Sequence, residues 1–346
     1  MKIILTGGGS AGHVMPCIAL LPCLREYFSD ICYLGRADGI ERRLAEMNGI
    51  EFHSVNAVKF DRSSKLSVLK IPCSLSRAVS QTKKLLKELR PDVLFAKGGY
   101  VSLPGALAAR SLKIPVVCHE SDFSLGLANK VISRFAECTL TSFEATAAKR
   151  SLFVGNPVRA ELTQADPQKA RRTCAFSRTA RVVLFVGGSG GAEAINRAVD
   201  DALSTLVRDF NVVHICGQGN LRPSAPGYRC FEFVDDIFDF FALADIVVTR
   251  AGANAGFELA AMGKRTIFIP LPTGSSRGDQ IENAKAFASV SGAKVLEQSR
   301  LDTYELVCAI TDSLSRPSPE PDLRPLKAAP KIAEILNKVA RREKFA

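Results

Sequence analysis

The chain has 346 residues, 47% of them hydrophobic, and this length and composition predict two domains with one core each. Its formal net charge is +11, and it shows neither a run of about 20 apolar residues that could cross a bilayer nor a signal peptide, so we expect a cytoplasmic protein. Ten cysteines without a Cys-x-x-Cys pair, and four histidines without a second ligand type at metal spacing, argue against a disulfide framework and predict no metal and no cofactor.

The first half of the chain alternates short apolar runs with helical patterns. Strands are predicted at residues 3–6, 31–34, 93–96 and 116–118, and helices at residues 15–28, 39–47, 103–112 and 127–135. This alternation is typical of β-α units on a parallel sheet.

A second series begins after a polar bridge at residues 156–181. Its predicted strands are 182–186, 210–215, 231–234, 246–249 and 266–269, and its predicted helices are 192–207, 237–244, 253–261 and 280–289. Four prolines between Arg316 and Pro325 end the series, and a basic helix is predicted at residues 331–344.

The predicted fold class is therefore α/β, with two doubly wound Rossmann-like domains facing an interdomain cleft. Residues 1–158 would form the first domain, with a C-terminal helix at about 328–346 packing back on it, and residues 159–327 would form the second.

Each predicted domain opens with a strand, a glycine cluster and a helix. The clusters are Gly7-Gly8-Gly9-Ser10-Ala11-Gly12-His13 and Gly187-Gly188-Ser189-Gly190-Gly191. Backbone N–H groups at such a turn, together with the helix dipole, can bind phosphate, so the sequence predicts one anion site per domain.

The first cluster also fits the dinucleotide fingerprint G-x-G-x-x-G, which keeps an NAD-binding domain open as an alternative. That fingerprint requires an acidic residue at the end of the second strand, where this chain reads Leu34-Gly35-Arg36. The match to an NAD site is therefore weak.

Two further loops follow predicted strands, Gly98-Gly99-Tyr100-Val101-Ser102 and Arg250-Ala251-Gly252-Ala253-Asn254-Ala255. Ligands of open α/β sheets bind beyond the carboxyl ends of the strands, so we expect all four loops to converge on the cleft.

The segment from Lys59 to Arg90 holds nine basic residues and two acidic ones. Its only aromatic residue is Phe60, and it carries apolar aliphatic residues that include Val68, Leu69, Ile71, Leu75, Val79, Leu85 and Leu86, so an anionic membrane surface is the better expectation than nucleic acid. A solvated helix face is the alternative.

Several polar residues at predicted strand ends and helix starts are candidates for chemistry. A neutral His13 at a helix start could accept a proton from a sugar hydroxyl, or it could simply donate a hydrogen bond. Glu258 could bind a ribose or stabilise its helix dipole, and Arg159 is a candidate to neutralise a diphosphate. A polar group at the end of a predicted strand comprises His119-Glu120-Ser121-Asp122 and Asn129. It could belong to a functional site, or Ser124 or Asp122 could cap the helix that begins near Leu127.

Taken together, these motifs resemble the MurG family, whose members transfer N-acetylglucosamine from UDP-N-acetylglucosamine to lipid I in peptidoglycan synthesis. The resemblance covers essentially the whole chain and rests on six ordered motifs: Gly7 to His13 with Pro16; Gly98 to Ser102 with Pro104-Gly105; His119-Glu120 with Gly126 and Asn129-Lys130; Gly155-Asn156-Pro157-Val158-Arg159; Gly187-Gly188-Ser189; and Gly252-Ala253 with Glu258, Asp279-Gln280 and Asn283-Ala284.

The resemblance implies a glycosyltransferase-B fold with the lipid acceptor on the first domain and the donor on the second. It implies that Val234 meets uracil, Glu258 the ribose, Ser189 and Arg159 the diphosphate, and Ala253, Asn254 and Gln280 the sugar. Ser10, Ala11 and Gly12 would lie near the transferred sugar and the acceptor diphosphate, with His13 as the leading base and Glu120 as a second candidate.

The chain departs from the commonest family pattern in two places. Ser10-Ala11 stands where Thr-Gly is usual, and Ser121-Asp122 where Gln-Asn is usual, so an ionised Asp122 can only accept a hydrogen bond where an amide could also donate. The donor contact of Asp122 is the one this change puts in question.

The expected function is an inverting transfer to lipid I, giving lipid II for cell-wall growth and division. The expected partners are UDP-N-acetylglucosamine, lipid I, the anionic inner-leaflet surface and other cell-wall or division proteins, but no nucleic acid, with the protein peripheral on the cytoplasmic face of the membrane. Alternatives are another UDP-sugar-dependent lipid glycosyltransferase, a UDP-sugar epimerase, and a nucleotide-binding adaptor without activity.

Overall fold

A computed structural model describes residues 1–57, 65–176, 179–188, 190–274 and 278–344, with only the backbone course at 65–72. The chain divides into two compact units, Met1–Arg159 with Pro325–Ala346, and Ala160–Arg324. Across the described ranges, no helix combines the length and the apolar character that a membrane span requires.

The first unit is built on a parallel sheet in the order β3-β2-β1-β4-β5-β6-β7. Its strands are β1 (Lys2–Gly7), β2 (Asp30–Gly35), β3 (Glu51–Ser54), β4 (Val93–Gly98), β5 (Val116–Glu120), β6 (Cys138–Thr141) and β7 (Ser151–Phe153). Because helices cover both faces, the central strands are continuous apolar runs, as in Val93 to Ala96, where every residue is buried.

The helices of the first unit form two cores, one on each side of the sheet. They are α1 (Ala11–Leu24), α2 (Ile40–Met47), α3 (Lys65–Leu89), α4 (Ser102–Ser111), α5 (Leu127–Ile132) and, from the end of the chain, α12 (Ala328–Ala340). Ile332 and Leu336 of α12 share a core with Leu20 and Leu24 of α1, while α3 and α4 pack on the opposite face. The C-terminal helix therefore completes the first unit's core.

The second unit repeats the arrangement with the parallel order β10-β9-β8-β11-β12-β13. Its strands are β8 (Val182–Val186), β9 (Asn211–Ile215), β10 (Tyr228–Phe231), β11 (Ile246–Thr249), β12 (Thr266–Phe268) and β13 (Lys294–Val295). Its helices are α6 (Pro167–Cys174), α7 (Glu193–Asp209), α8 (Ile237–Leu243), α9 (Ala253–Ala261), α10 (Asp279–Ser291) and α11 (Thr303–Ser315). The predicted α/β class with two doubly wound sheets is confirmed.

In both sheets the direction in which successive strands are added reverses at the first strand. In the first unit the chain adds β2 and β3 on one side of β1 and then returns to place β4 on the other side. The same switch occurs between β8 and β11. A crevice forms at such a switch point, since the two neighbouring strands send their loops to opposite sides. The glycine loops after β1, β4, β8 and β11 all follow strands at these points.

The sequence predictions were wrong or silent at several elements. The strand predicted at 231–234 ends at Phe231, and residues 232–236 form a loop. Four short or polar strands were not predicted (β3, β6, β7 and β13), nor were helices α6 and α11. The basic prediction at 331–344 is a helix displaced to Ala328–Ala340.

Candidate active site

The second unit holds a cavity of about 650 Å³ at the carboxyl ends of β8 and β11. Its lining comes from the glycine loop after β8, the starts of α7 and α9, and three residues further along the chain: Leu271, Gln280 and Gln298. The cavity therefore lies at the topological switch point, where an open α/β sheet is expected to bind a ligand.

The glycine loop after β8 adopts a conformation that few other residues could take. Gly188 and Gly191 have φ values of +88° and +75°, in the left-handed region. A Cβ at Gly191 would lie 2.3 Å from the carbonyl oxygen of Cys216, so this glycine allows close packing on β9. A Cβ at Gly190 would meet no atom of the described residues within 4 Å. The loop thus packs on one side and exposes its backbone to the cavity on the other.

Two helix N-termini and Arg250 give this cavity a positive character. The helices α7 and α9 begin at its edge, with Glu193 in the first turn of α7, whereas the first turn of α9 reads Ala253-Asn254-Ala255, so no carboxylate in that turn neutralises the positive end of its dipole. Arg250 lines the cavity and donates from Nη1 to the carbonyl oxygen of Ile269 at 3.0 Å. Burial lowers the pKa of the Arg250 guanidinium, which nevertheless keeps its charge at neutral pH. Arg197 also lines the cavity and pairs with Glu193.

Buried hydrogen bonds behind the loop hold α7 on the sheet. Asn196 donates from Nδ2 to the carbonyl oxygen of Cys216 at 2.9 Å, and its Oδ1 lies 2.9 Å from Nε2 of His214. Nδ1 of His214 lies 3.0 Å from the hydroxyl of Tyr228. Burial is the main cause that lowers the pKa of His214 to about 4. A neutral His214 therefore fixes the start of α7 at ordinary pH.

The donor residues implied by the family resemblance occupy several elements of this unit. Gln280 lines the cavity, and its Oε1 accepts a hydrogen bond from the backbone N–H of Leu271 at 3.1 Å. Ala253 and Asn254 form the first turn of α9, with Glu258 buried one turn later. Val234 is half-buried in the loop after β10. Ser189 lies outside the described residues.

The cavity also contains residues that the sequence did not single out. Gln298 lines it, and its Oε1 is buried without a hydrogen-bond partner among the described residues. No motif surrounds Gln298, so nothing in the sequence could have selected it.

In the first unit, the loops after β1 and β4 pack directly on each other. A Cβ at Gly99 would lie 2.2 Å from the carbonyl oxygen of Gly8 and 2.9 Å from Cδ2 of His13. A Cβ at Gly9 would likewise lie 2.6 Å from Cε1 of Tyr100. His13 lies in the first turn of α1, after the exposed Ser10 and with Ala11 and Gly12 before it. These predicted residues are therefore grouped at the start of one helix.

A buried carboxylate that the sequence analysis missed lies under the first glycine loop. Glu41 is fully buried on α2, and its Oε1 accepts a hydrogen bond from the backbone N–H of Arg36 at 3.0 Å. A Cβ at Gly8 would lie 2.6 Å from that oxygen, and Cβ atoms at Gly35 and Gly39 would each lie 2.4 Å from the same side chain. Three glycines thus make room for the side chain of Glu41, which fills the space beside Gly8, where the sequence predicted an anion site.

The polar residues at the end of β5 form a connected buried group. His119 Nε2 lies 3.0 Å from the carbonyl oxygen of Gly155, and burial lowers the pKa of His119 well below its usual value. Glu120 accepts hydrogen bonds from the backbone N–H groups of Asp122 and Gly126 and from Nδ2 of Asn129. These bonds give Glu120 and Asn129 a structural role, and their roles in chemistry stay predictions.

Helix α5 begins without the capping that the sequence suggested. Gly126 is its N-cap, with no side-chain cap, so the prediction that Ser124 or Asp122 caps it is wrong. Asp122 is half-buried in the loop before this cap. Arg159, at the end of the first unit, is also half-buried and follows the buried Asn156 by three residues.

One group of possible metal ligands occurs among the described residues, at the amino ends of β2 and β3. A ligand atom from each of Cys32, Glu51 and His53 lies within 4.8 Å of the others. His53 Nε2 is 3.0 Å from Glu51 Oε1, and the Cys32 thiol donates to Glu51 Oε2 at 3.5 Å. The contact between His53 and Glu51 and the thiol hydrogen bond account for the grouping of these three side chains, which the sequence analysis did not predict.

Comparison with known proteins covers both units. Residues 3–141 match the glycosyltransferase family 28 N-terminal domain, and residues 182–336 match the glycosyltransferase family 28 C-terminal domain. The chain is 43% identical over 318 residues to a UDP-N-acetylglucosamine--N-acetylmuramyl-(pentapeptide) pyrophosphoryl-undecaprenol N-acetylglucosamine transferase of Geobacillus kaustophilus, with 89% of each chain covered. The enzyme of the same name from Clostridium perfringens strain SM101 is 38% identical over 319 residues, with 90% of this chain and 89% of that one covered.

The folds agree as well. A crystal structure of Acinetobacter baumannii MurG matches with a TM-score of 0.74 at 25% identity, over 98% of this chain and 100% of that one. The resemblance inferred from the six motifs is confirmed. The chain is a glycosyltransferase of family 28 and belongs to the MurG family.

Proposed function

We propose that this enzyme transfers N-acetylglucosamine from UDP-N-acetylglucosamine to the muramoyl sugar of lipid I, with inversion at the anomeric carbon, to give lipid II. The names of relatives 38–43% identical over about 90% of the chain support this donor and acceptor. The observation in the structure that carries the proposal is the cavity in the second unit, where glycine backbone and two helix N-termini meet.

The second unit would bind the donor. Its cavity of about 650 Å³ is of the size that small-molecule sites have, and N–H groups at the starts of α7 and α9 suit a diphosphate. Glu258 would bind the ribose and Val234 the uracil, while Ala253, Asn254 and Gln280 would contact the sugar. Ser189 and Arg159 would meet the diphosphate region. The dipoles of α7 and α9 would stabilise the negative charge on the leaving UDP.

The first unit would bind the acceptor, with Ser10, Ala11 and Gly12 near its diphosphate. His13 is the proposed base. It lies in the first turn of α1, where the helix dipole disfavours the imidazolium form and so favours a ring able to accept a proton. The acceptor hydroxyl, losing its proton to His13, would attack the anomeric carbon as the bond to UDP breaks. Glu120 is a second candidate for assisting this step.

The enzyme would work on the cytoplasmic face of the membrane as a peripheral protein. Helix α3 supports this, because its described C-terminal part carries Arg77, Lys83, Lys84 and Lys87 with acidic Glu88 alone among them. Such a basic helix suits anionic lipid headgroups, which would keep the enzyme near its lipid acceptor. Other cell-wall or division proteins are further proposed partners.

The test is UDP release from UDP-N-acetylglucosamine by the purified protein, with and without a lipid I analogue. Release that depends on the analogue, together with a disaccharide product, is expected. Release without the analogue would indicate a hydrolase or the epimerase alternative. No UDP release in the presence or absence of the analogue would overturn the proposed donor and acceptor.

A further inference from the structure

Lys97 is a fully buried lysine that no step of the proposed mechanism uses. It lies in β4, directly before Gly98, and is 1% exposed. Lysines are almost never buried to this degree unless their charge is compensated, because removing an ammonium from water is costly. A role for this charge must therefore be sought in its contacts.

The Lys97 ammonium donates a hydrogen bond to the hydroxyl of Ser121 at 2.6 Å. The Ser121 hydroxyl in turn donates to Oδ1 of Asn156 at 2.5 Å. Since the three side chains come from β4, the loop after β5 and the loop after β7, this relay joins three segments that are far apart in the sequence.

Neighbouring bonds tie the same segments together. Ser142 donates to the carbonyl oxygen of Glu120 at 2.8 Å, and His119 contacts the carbonyl oxygen of Gly155 at 3.0 Å. Burial lowers the pKa of Lys97, while the negative charges of Glu120 and Asp122 act against that decrease. The hydrogen-bond partner of Lys97 is thus Ser121, at the point where the chain departs from the usual family pattern with Ser121-Asp122.

We propose that Lys97 is a positioning residue that, through Ser121 and Asn156, fixes the two segments carrying Asp122 and Arg159 and thereby sets the affinity for the nucleotide-sugar donor. This inference rests on the proposed function, in which Arg159 meets the donor diphosphate, and on the substrate-binding role that the sequence analysis predicts for the segment of Asp122. Asp122 follows Ser121 directly, and Arg159 follows Asn156 by three residues. Loss of the relay should therefore disturb donor binding more than acceptor attack, which depends on His13.

The experiment compares Lys97→Met, which keeps an unbranched side chain one atom shorter and removes the charge, with Ser121→Ala, which removes the shared hydroxyl. Each should raise the donor KM by about tenfold or more, since a hydrogen bond to a charged group is among the stronger ones in proteins. At saturating donor, kcat and the acceptor KM should stay within about twofold of the wild type. The double variant should be no worse than the more affected single variant, because both remove one relay.

Thr82→Val is the matched control. The Thr82 hydroxyl is buried in the same unit and donates to the carbonyl oxygen of Ala78 at 2.8 Å, away from the relay. This variant should lower stability without changing the donor KM. If Lys97→Met behaved like Thr82→Val, or if kcat fell while the donor KM stayed constant, the positioning role would be overturned.

Hydrogen exchange gives a readout that needs no turnover. Amides at residues 121–126 and at 155, 156, 158 and 159 should lose protection together in Lys97→Met and in Ser121→Ala, but not in Thr82→Val. Unchanged protection in both relay variants would overturn the inference even if the enzyme were active. Conversely, failure of the wild type to use the lipid I analogue would refute the proposed function, while the exchange result would still decide whether the relay holds the two segments.

Discussion

The two glycine loops look alike in sequence but differ in what surrounds them. In the second unit, a Cβ at Gly188 or Gly190 would meet no atom of the described residues within 4 Å, beside a cavity of about 650 Å³. In the first unit, Gly8 is in contact with the buried carboxylate of Glu41, and Gly9 with the ring of Tyr100. One loop exposes its backbone to a ligand site, whereas the other is packed against its own unit. A strand, a glycine cluster and a helix therefore do not by themselves specify an anion site.

The difference implies a division of labour. The open loop leaves space beside Gly188 and Gly190, which suits a diphosphate, while the packed loop fixes the start of α1 and so the orientation of His13. Substitutions in the second loop should then affect the donor, and those in the first should affect chemistry or stability.

The largest effect is expected from His13→Ala. Loss of a general base should lower kcat by about 10²–10⁴-fold while the affinity for UDP-N-acetylglucosamine changes little. Steady-state kinetics and donor titration measure the two quantities, and His53→Ala, in the same unit but on β3, is the control. Wild-type turnover by His13→Ala would show that His13 is not the general base.

Gly8→Ala should lower the stability of the protein by about 1–3 kcal/mol, as overpacking of a filled site does. The new methyl group would meet Glu41, whose side chain is already enclosed by Gly35 and Gly39. Urea unfolding measures the change. A neutral effect would mean that the first loop is as open as the second.

The pH dependence of stability should report on the support of the second loop. Burial holds the pKa of His214 in the folded protein at about 4, below its value in the unfolded chain. As the pH falls, the unfolded chain is therefore protonated first, and this favours unfolding. Stability should therefore decrease by about 2 kcal/mol between pH 7 and pH 5, since a tenfold difference in proton affinity between the folded and unfolded states corresponds to about 1.4 kcal/mol.

His214→Asn should flatten this part of the pH profile in urea unfolding. The charges that also act on His214 are those of Arg222, which lowers its pKa, and Asp200, which raises it. If the free energy of unfolding of the variant changed with pH as steeply as that of the wild type, groups other than His214 would cause the pH dependence.

The smallest effect, and the sharpest contrast with Gly8→Ala, is expected from Gly190→Ala. Its methyl group would meet no described atom, so stability should change little. It would extend toward the cavity, and the donor KM should rise by about tenfold, the equivalent of about 1.4 kcal/mol. An unchanged donor KM would argue that the diphosphate does not approach this loop.

Much of the fold could be predicted from the sequence, because buried parallel strands are continuous apolar runs bounded by glycines. The predictions at 93–96 and 182–186 fall within β4 and on β8 for this reason. The strand β3 was missed because it reads Glu-Phe-His-Ser at the edge of its sheet, where only one neighbour pairs with it and polar residues are tolerated. Similarly, β10 was displaced because the apolar pair Phe233 and Val234 continues beyond the last paired residue.

The sequence by itself determined the two α/β series, the positions of the four glycine loops and the motif set that identifies the family. These are local features, set by hydrophobic periodicity and by residues that a turn requires. Only the tertiary structure decided that Glu41 fills the space beside Gly8, that Gln298 joins the cavity and that Lys97 reaches Ser121. Each of these contacts joins residues more than 20 positions apart, and whether a charged group is buried or paired depends on which distant segments the fold brings beside it.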